Sequence, residues 1–234
     1  GGKMSGASRI VALVSRKIGC GLSTIGVSKN YLKYYNGVEV GTIVQEITKD
    51  LLKKKDVLVL GPGLGKNFDK KEIIFFLEVF KGPIVIDADA ISIFKDERKL
   101  FYQIIKKKKN IVLTPHKGEF NRLFNESEES KLQNCIKASR LINNSIVYKG
   151  NDTVVCFKGE NLWINHNATE RLATAGTGDI LCGLISGLIA QKMNFRKAIL
   201  AGVYILGELS QIKKNFIAED FISSVSKILL KLKK

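Results

Sequence analysis

The chain has 234 residues, 45% of them hydrophobic and 26% charged, with only three prolines, a composition that excludes intrinsic disorder and a length with room for one large domain or two small ones, one α/β domain being the simpler reading. Thirty-eight Lys and Arg against 22 Asp and Glu leave a net charge of +16, which calls for a polyanionic partner, a phosphate-rich ligand or a lysine-heavy solvated surface. The lysine runs 53–55 and 106–109 and the tail Lys231, Lys233 and Lys234 fall at predicted helix ends, and no zinc-finger spacing, ribonucleoprotein motif or helix-turn-helix accompanies them, so nucleic acid is disfavoured.

In chain order, apolar β-branched runs at 21–27, 57–60, 84–86, 111–113 and 145–148 end in glycine or a polar turn. Between them, residues 41–53, 66–80, 97–107 and 131–142 carry apolar positions at helical spacing. This alternation predicts βα units around a mostly parallel, doubly wound sheet. Residues 153–157 and 162–165 then read as a hairpin, and helices near 178–192, 195–213 and 218–232 close the chain. The apolar stretches 180–190 and 198–207 are shorter than the roughly 18 residues a bilayer span needs and are interrupted by Gly. Residues 1–8 are small and polar rather than signal-like, so a soluble, cytoplasmic protein is expected. Cys20, Cys135, Cys156 and Cys182 lie far apart with no C-x-x-C pair and read as reduced core thiols.

Five motifs follow predicted strands or open a helix. Gly61-Pro62-Gly63-Leu64-Gly65 lets backbone N–H groups approach an anion, or is a plain turn; it is neither a dinucleotide fingerprint nor a Walker A loop. Asp87-Ala88-Asp89-Ala90 brings two carboxylates to the ligand-binding edge of the sheet, Asp89 reading as a helix N-cap and Asp87 as the better site residue. Thr114-Pro115-His116, with Glu119 after it, holds one of the chain's two histidines; from spacing alone His116 is equally a ligand or a structural residue, and Glu119 suits a first helical turn. Lys149-Gly150-Asn151-Asp152-Thr153 is a tight turn with the means to cradle phosphate. Ala175-Gly176-Thr177-Gly178-Asp179 opens an apolar helix. Its backbone N–H groups form an anion hole, and Asp179 is either a general base on a hydroxyl or an N-cap.

Together with Leu172-Ala173-Thr174 before the last motif, this ordered set closely resembles the ADP/ATP-dependent NAD(P)H-hydrate dehydratases of the ribokinase-like superfamily, over nearly the whole chain. The opening Gly1-Gly2-Lys3-Met4-Ser5-Gly6-Ala7 is similar to that family's first glycine-rich loop. The resemblance implies a three-layer α/β/α fold with a mostly parallel central sheet, and dehydration of the S-epimer of hydrated NADH or NADPH at the expense of ADP or ATP. It implies Asp179 as the base and Gly176, Thr177 and Gly178 as the anion hole. Ala7, Gly63, Gly65, His116 and Asp179 would bind the hydrate. Lys149, Gly150, Asn151, Asp152, Thr153 and Gly178 would bind the nucleotide, with Asp87, Asp89 and Glu119 in support. Magnesium would bridge the phosphates, although no dedicated ligand for it can be named.

Residues 1–234 are expected to form one such domain, lacking the strand that normally precedes the first diglycine, as a segment of a longer polypeptide or with an altered sheet edge. Ala168-Thr169-Glu170-Arg171 stands where the family often has Gly-Asn-Pro-x. Homo-oligomers of four or more subunits, and an epimerase domain or partner, are further implications of the resemblance. The nearest rival is a vitamin-precursor kinase of the same superfamily, such as a hydroxyethylthiazole kinase. A basic nucleic-acid-binding module explains the charge but none of the motifs, and a dead scaffold conflicts with the intact Gly176-Thr177-Gly178-Asp179. ADP against ATP, and NADH against NADPH hydrate, stay open.

Overall fold

The structure, a computed structural model, describes residues 4–65 and 68–232; Gly1-Gly2-Lys3 of the glycine-rich opening and Lys66, the expected start of a helix, lie outside the described residues. The first elements are α1 (Ser5–Lys17), β1 (Ser23–Val27), a 3₁₀ turn (Lys29–Tyr35), β2 (Thr42–Glu46) and α2 (Lys49–Lys53). Next come β3 (Leu58–Leu60), α3 (Lys70–Val79), β4 (Ile84–Ile86), α4 (Asp89–Ser92), α5 (Arg98–Lys106) and β5 (Ile111–Leu113). They are followed by α6 (Lys117–Phe124), α7 (Lys131–Ile142), β6 (Ser145–Tyr148), β7 (Val154–Phe157) and β8 (Asn161–Ile164). The helices α8 (Thr177–Ala190), α9 (Phe195–Ser210) and α10 (Ala218–Leu232) complete the described chain. These elements gather into two compact units, one of residues 57–166 and the other of residues up to 56 together with 167 onward.

The unit of residues 57–166 is built on a six-stranded sheet in the order β3-β4-β5-β6-β7-β8. The first four strands are parallel, and β7 and β8 continue the same sheet antiparallel, so the expected hairpin is the sheet's outer portion. Strands add in one direction only, without the reversal of order that marks a doubly wound sheet. Every residue of β4, β5, β6 and β7 is buried, whereas the edge strand β8 is largely exposed. The hairpin turn has positive φ at both central residues, Lys158 (53°) and Gly159 (71°), and its twist suits two antiparallel strands.

The other unit corrects one sequence expectation. Residues 41–53 are not one helix: residues 42–46 form β2, parallel to β1 with Ile25 opposite Val44, and only Lys49–Lys53 is helical. The apolar residues 43, 44, 47, 51 and 52 do fit a helical spacing, but Thr42, Ile43 and Val44 are β-branched and lose side-chain freedom in a helix. Thr48 then caps α2, its Oγ1 accepting from Leu51 N–H at 3.1 Å. Accordingly β1 pairs with β2 in a two-stranded sheet rather than joining the six-stranded one. Ala12, Ile25, Val27 and Tyr35 form the core beneath it.

Helix α8 is buried at every position from Ile180 to Ile189, the pattern of a helix covered all round. It packs along α1, and α9 packs on it in turn. At Gly187 a Cβ would overlap Ile18 Cγ2 and lie 2.7 Å from the Ser15 carbonyl oxygen, so the missing side chain is what lets the backbones meet. Gly187→Ala gains about 1 kcal/mol of helix propensity but must push α1 away. We expect a net loss of about 1–2 kcal/mol in urea unfolding; a more stable variant would mean that the two helices separate freely. Among the described residues no helix is long and apolar enough to cross a membrane. The four cysteines are free thiols, with Cys135, Cys156 and Cys182 buried.

Candidate active site

Because β3, β4, β5 and β6 are parallel, the segments that leave their C-terminal ends emerge on one edge of the sheet, where open α/β sheets bind ligands. Four of the five motifs are those segments. Gly61–Leu64 after β3 is a turn closed by Leu64 N–H on the Gly61 carbonyl at 3.1 Å, with Gly63 at φ 75° after Pro62. Positive φ in that place with proline before it is the requirement of a type II turn. Gly65 follows at φ 86°.

After β4, Asp87 is buried and its Oδ1 accepts from Lys149 Nζ, beyond the end of β6, at 2.8 Å. Glu119 completes a cluster: its Oε2 is 3.8 Å from the same ammonium and accepts from His116 N–H at 2.9 Å. Side-chain exposure is 3% for Asp87, 8% for Glu119 and 19% for Lys149, so one lysine serves two carboxylates withdrawn from water. Removing one partner of such a group leaves an uncompensated buried charge. Burial pushes the Glu119 carboxyl above its ordinary range; Lys149 opposes this, Asp87 adds to it, and the His116 N–H pulls it back.

An acid whose folded pKa lies above its unfolded value binds its proton more tightly when folded. The stability it contributes is present below the unfolded value and is lost as pH rises through the raised one. Against a Glu119→Gln variant, which cannot titrate, the parent protein is therefore expected to lose stability progressively as pH climbs above the ordinary 4.5. Denaturant unfolding of both proteins across pH checks this, and parallel profiles would exclude it.

His116 proves to be the N-cap of α6. Its Nδ1 accepts from Gly118 N–H at 3.0 Å and Glu119 N–H at 3.3 Å, while Glu119 returns the bond to His116 N–H, a reciprocal capping box. With Nδ1 committed as acceptor, the neutral ring carries its proton on Nε2, which lies 3.4 Å from Glu119 Oε1 on a side chain that is 54% exposed. The cap thus orients the ring through Nδ1 and leaves the outer nitrogen facing the Glu119 carboxylate.

The expectation that Asp89 caps its helix is corrected. The N-cap is Ala88, at φ 49° and ψ −122°, and Asp89 is the first helical residue; its carboxylate accepts from Gly65 N–H at 2.8 Å instead. The positive φ of Ala88 closes a turn, Ala90 N–H to the Asp87 carbonyl at 3.2 Å, and moves the cap back one residue.

Residues 149–153 are a turn between antiparallel strands, with Thr153 Oγ1 donating to the Gly150 carbonyl at 3.0 Å. Gly150, Asn151 and Asp152 are exposed, whereas Thr153 is buried. Lys131 was missed as a contributor. At the start of α7, its Nζ reaches the Asp152 carbonyl at 2.7 Å and Oδ1 at 2.8 Å, holds the Asp152 carboxyl below its usual range and lies 4.9 Å from the centre of the Tyr148 ring. Twenty-one residues separate it from Asp152, so no local pattern signals it.

The fifth motif and Ala7 belong to the other unit. Ala7 lies in the first turn of α1. Gly176 is the N-cap of α8 at φ 91°, wedged so that a Cβ would come within 2.9 Å of Ala218 Cβ and 3.1 Å of Ile10 Cδ1. The first intrahelical bond runs from Ile180 N–H to the Gly176 carbonyl at 2.9 Å, so Thr177, Gly178 and Asp179 form the turn whose N–H groups precede the helical ladder. The Thr177 hydroxyl is turned inward, donating to the Leu172 and Thr174 carbonyls at 2.9 and 3.0 Å; only its backbone faces the helix entrance. Asp179 is the third residue of the helix and half-buried, and it is not the N-cap.

Residues 1–230 match the family described as NAD(P)H-hydrate dehydratase. A bifunctional NAD(P)H-hydrate repair enzyme of Coxiella burnetii is 28% identical over 211 residues, which are 86% of this chain but 42% of that protein, so the chain spans less than half of that relative's length. An ADP-dependent (S)-NAD(P)H-hydrate dehydratase of Bacillus subtilis is 27% identical over 224 residues, covering 89% of this chain and 76% of the relative. The crystal structure of a ribokinase-like superfamily protein of Enterococcus faecalis superposes with a TM-score of 0.84 at 23% identity, covering 98% of this chain and 84% of that one, which establishes a ribokinase-like fold.

Proposed function

The chain belongs to the NAD(P)H-hydrate dehydratase family, and from that membership we propose that it is a hydro-lyase returning the S-epimer of hydrated NADH or NADPH to the reduced cofactor while consuming ADP or ATP. The observation that carries this reading is the family match over residues 1–230. Four motif loops leaving one sheet edge support it, because a phosphorylated dinucleotide and a nucleoside phosphate both need a fixed cation, here Lys149.

In this reading Asp179 takes the proton of the hydroxyl on the nicotinamide ring, and that oxygen attacks the terminal phosphoryl group of the nucleotide. The bridging P–O bond breaks and the shortened nucleotide departs. Backbone N–H groups of Gly176, Thr177 and Gly178 hold the charge that develops on the transferring phosphoryl oxygens. Hydroxide, a poor leaving group, has become phosphate. The ring nitrogen lone pair then expels phosphate, and loss of a proton from the adjacent carbon restores the dihydropyridine.

Ala7, Gly63, Gly65 and His116 bind the hydrate in this proposal; His116 does so through its outer Nε2–H. Lys149 and residues 150–153 bind the nucleotide, with Lys149 held ready by Asp87 and Glu119. Among the described residues no three His, Cys, Asp or Glu side chains gather in a way that could hold a metal, and no step above runs through magnesium. Any divalent ion would accompany the nucleotide phosphates.

The proposal treats residues 1–234 as one catalytic domain acting in a cytoplasmic homo-oligomer, alongside an epimerase domain or partner that supplies the S-epimer. The test is recovery of dihydronicotinamide absorbance from prepared NADH hydrate, with ADP and ATP supplied separately. Nucleotide-dependent recovery supports the proposal and identifies the phosphoryl donor. A phosphorylated product that accumulates without recovery would replace it with a small-molecule kinase.

A further inference from the structure

Two acidic residues with one alanine between them, Asp87 and Asp89, reach different partners. Ala88, at φ 49° and ψ −122°, is a non-glycine residue in a sparsely populated region, and such strain persists only where surrounding contacts over-determine it. Those contacts are visible on both sides. Asp87 Oδ1 accepts from Lys149 Nζ at 2.8 Å, and Asp89 Oδ2 accepts from Gly65 N–H at 2.8 Å. The Asp87 carbonyl itself closes the turn, accepting from Ala90 N–H at 3.2 Å, and lies directly against Gly61.

The glycine-rich segment is thus fastened at both ends to one short turn. Gly61 rests on the Asp87 carbonyl; Gly65, four residues on, is held by the Asp89 carboxylate. Among the described residues nothing lies within 4 Å of where a Gly65 Cβ would sit. A carboxylate in a first helical turn usually serves its own helix, but α4 has only four residues and the bond made by Asp89 crosses 24 positions of sequence.

We propose that Asp89 is a positioning residue for the hydrate: its carboxylate, delivered by the strained Ala88, fixes the Gly65 peptide and with it the direction of the backbone from Gly63 to Gly65. The inference rests on the proposed hydrate-binding role of that loop. The bond is charge-assisted, and it orients a group that would contact substrate without Asp89 touching substrate itself.

Steady-state kinetics on NADH hydrate with ADP, for Asp89→Ala and Asp89→Asn, together with amide hydrogen exchange at Gly65 in the ligand-free proteins, test it. Asp89→Ala is expected to raise KM for the hydrate about tenfold or more, with little change in KM for ADP or in Tm, and to speed exchange at Gly65. Asp89→Asn keeps a carbonyl acceptor and is expected to recover most of both effects. An unchanged hydrate KM in Asp89→Ala, or equal losses in the two variants, would overturn the assignment. Should the parent protein show no hydrate repair, the functional reading fails and the clamp is still decided: faster Gly65 exchange in Asp89→Ala alone upholds it, and exchange at the parent rate removes it.

Discussion

Asp179→Asn is expected to lower kcat for hydrate repair by about 10²- to 10⁴-fold, the usual worth of a positioned general base, while nucleotide affinity is retained. The substitution keeps the shape of the side chain and removes its basicity. Gly176, not Asp179, is the N-cap of α8, so no capping bond is lost with the carboxylate. Its place in the first turn also gives it an interaction with the helix dipole, worth about 0.3–1 kcal/mol, which Asn gives up, and a helix buried from Ile180 to Ile189 is held mainly by its packing. Turnover at saturating hydrate and nucleotide, titration calorimetry with nucleotide, and Tm give the three readings. Failure to fold would make Asp179 structural, and wild-type turnover would remove it from the chemistry.

The largest structural effect is expected from Gly61→Ala, a loss of about 3 kcal/mol or more in urea unfolding. Gly61 sits at φ 124°, a backbone conformation that L side chains rarely adopt, and a Cβ there would fall inside the Asp87 carbonyl oxygen. That carbonyl cannot retreat easily. Asp87 N–H is bonded to the Leu60 carbonyl at 3.0 Å, and β4, just before it, is buried at every position. Any relief must therefore open the end of β3 from β4 and disturb the Asp87–Lys149 pair, so hydrate repair should fall with stability. Gly65→Ala is the control: φ is also positive, but nothing described lies within 4 Å of the new Cβ, and a loss nearer 1 kcal/mol is expected. Equal losses in the two variants would mean that backbone conformation alone, and not the close approach, restricts position 61.

Much of the architecture was legible because burial leaves a direct mark on composition. The runs 84–86 and 111–113 contain nothing but Ile, Val and Leu, 145–148 sets Ile and Val between Ser and Tyr, and those strands have no exposed residue. The three closing helices were found within a few residues by their apolar spacing and by Glu219 and Asp220 opening the last one. Residues 41–53 were misread because short apolar runs satisfy helical and strand periods alike, and the deciding term, pairing with β1, lies outside the segment. Within the candidate site, the residue types and their order were readable; their partners were not.

What the amino-acid sequence determined by itself was local: which stretches bury themselves, where glycine and proline force turns, and the order of the motifs that pointed to the family. Tertiary structure alone decided which strand neighbours which, that Lys149 serves both Asp87 and Glu119, that His116 spends one ring nitrogen on a cap, and that Asp89 holds Gly65 rather than capping its own helix. The reason is range. Propensity and periodicity act over a few residues, whereas a buried charge is stabilised by whichever opposite group the fold delivers, here from 62 positions away for Asp87 and Lys149.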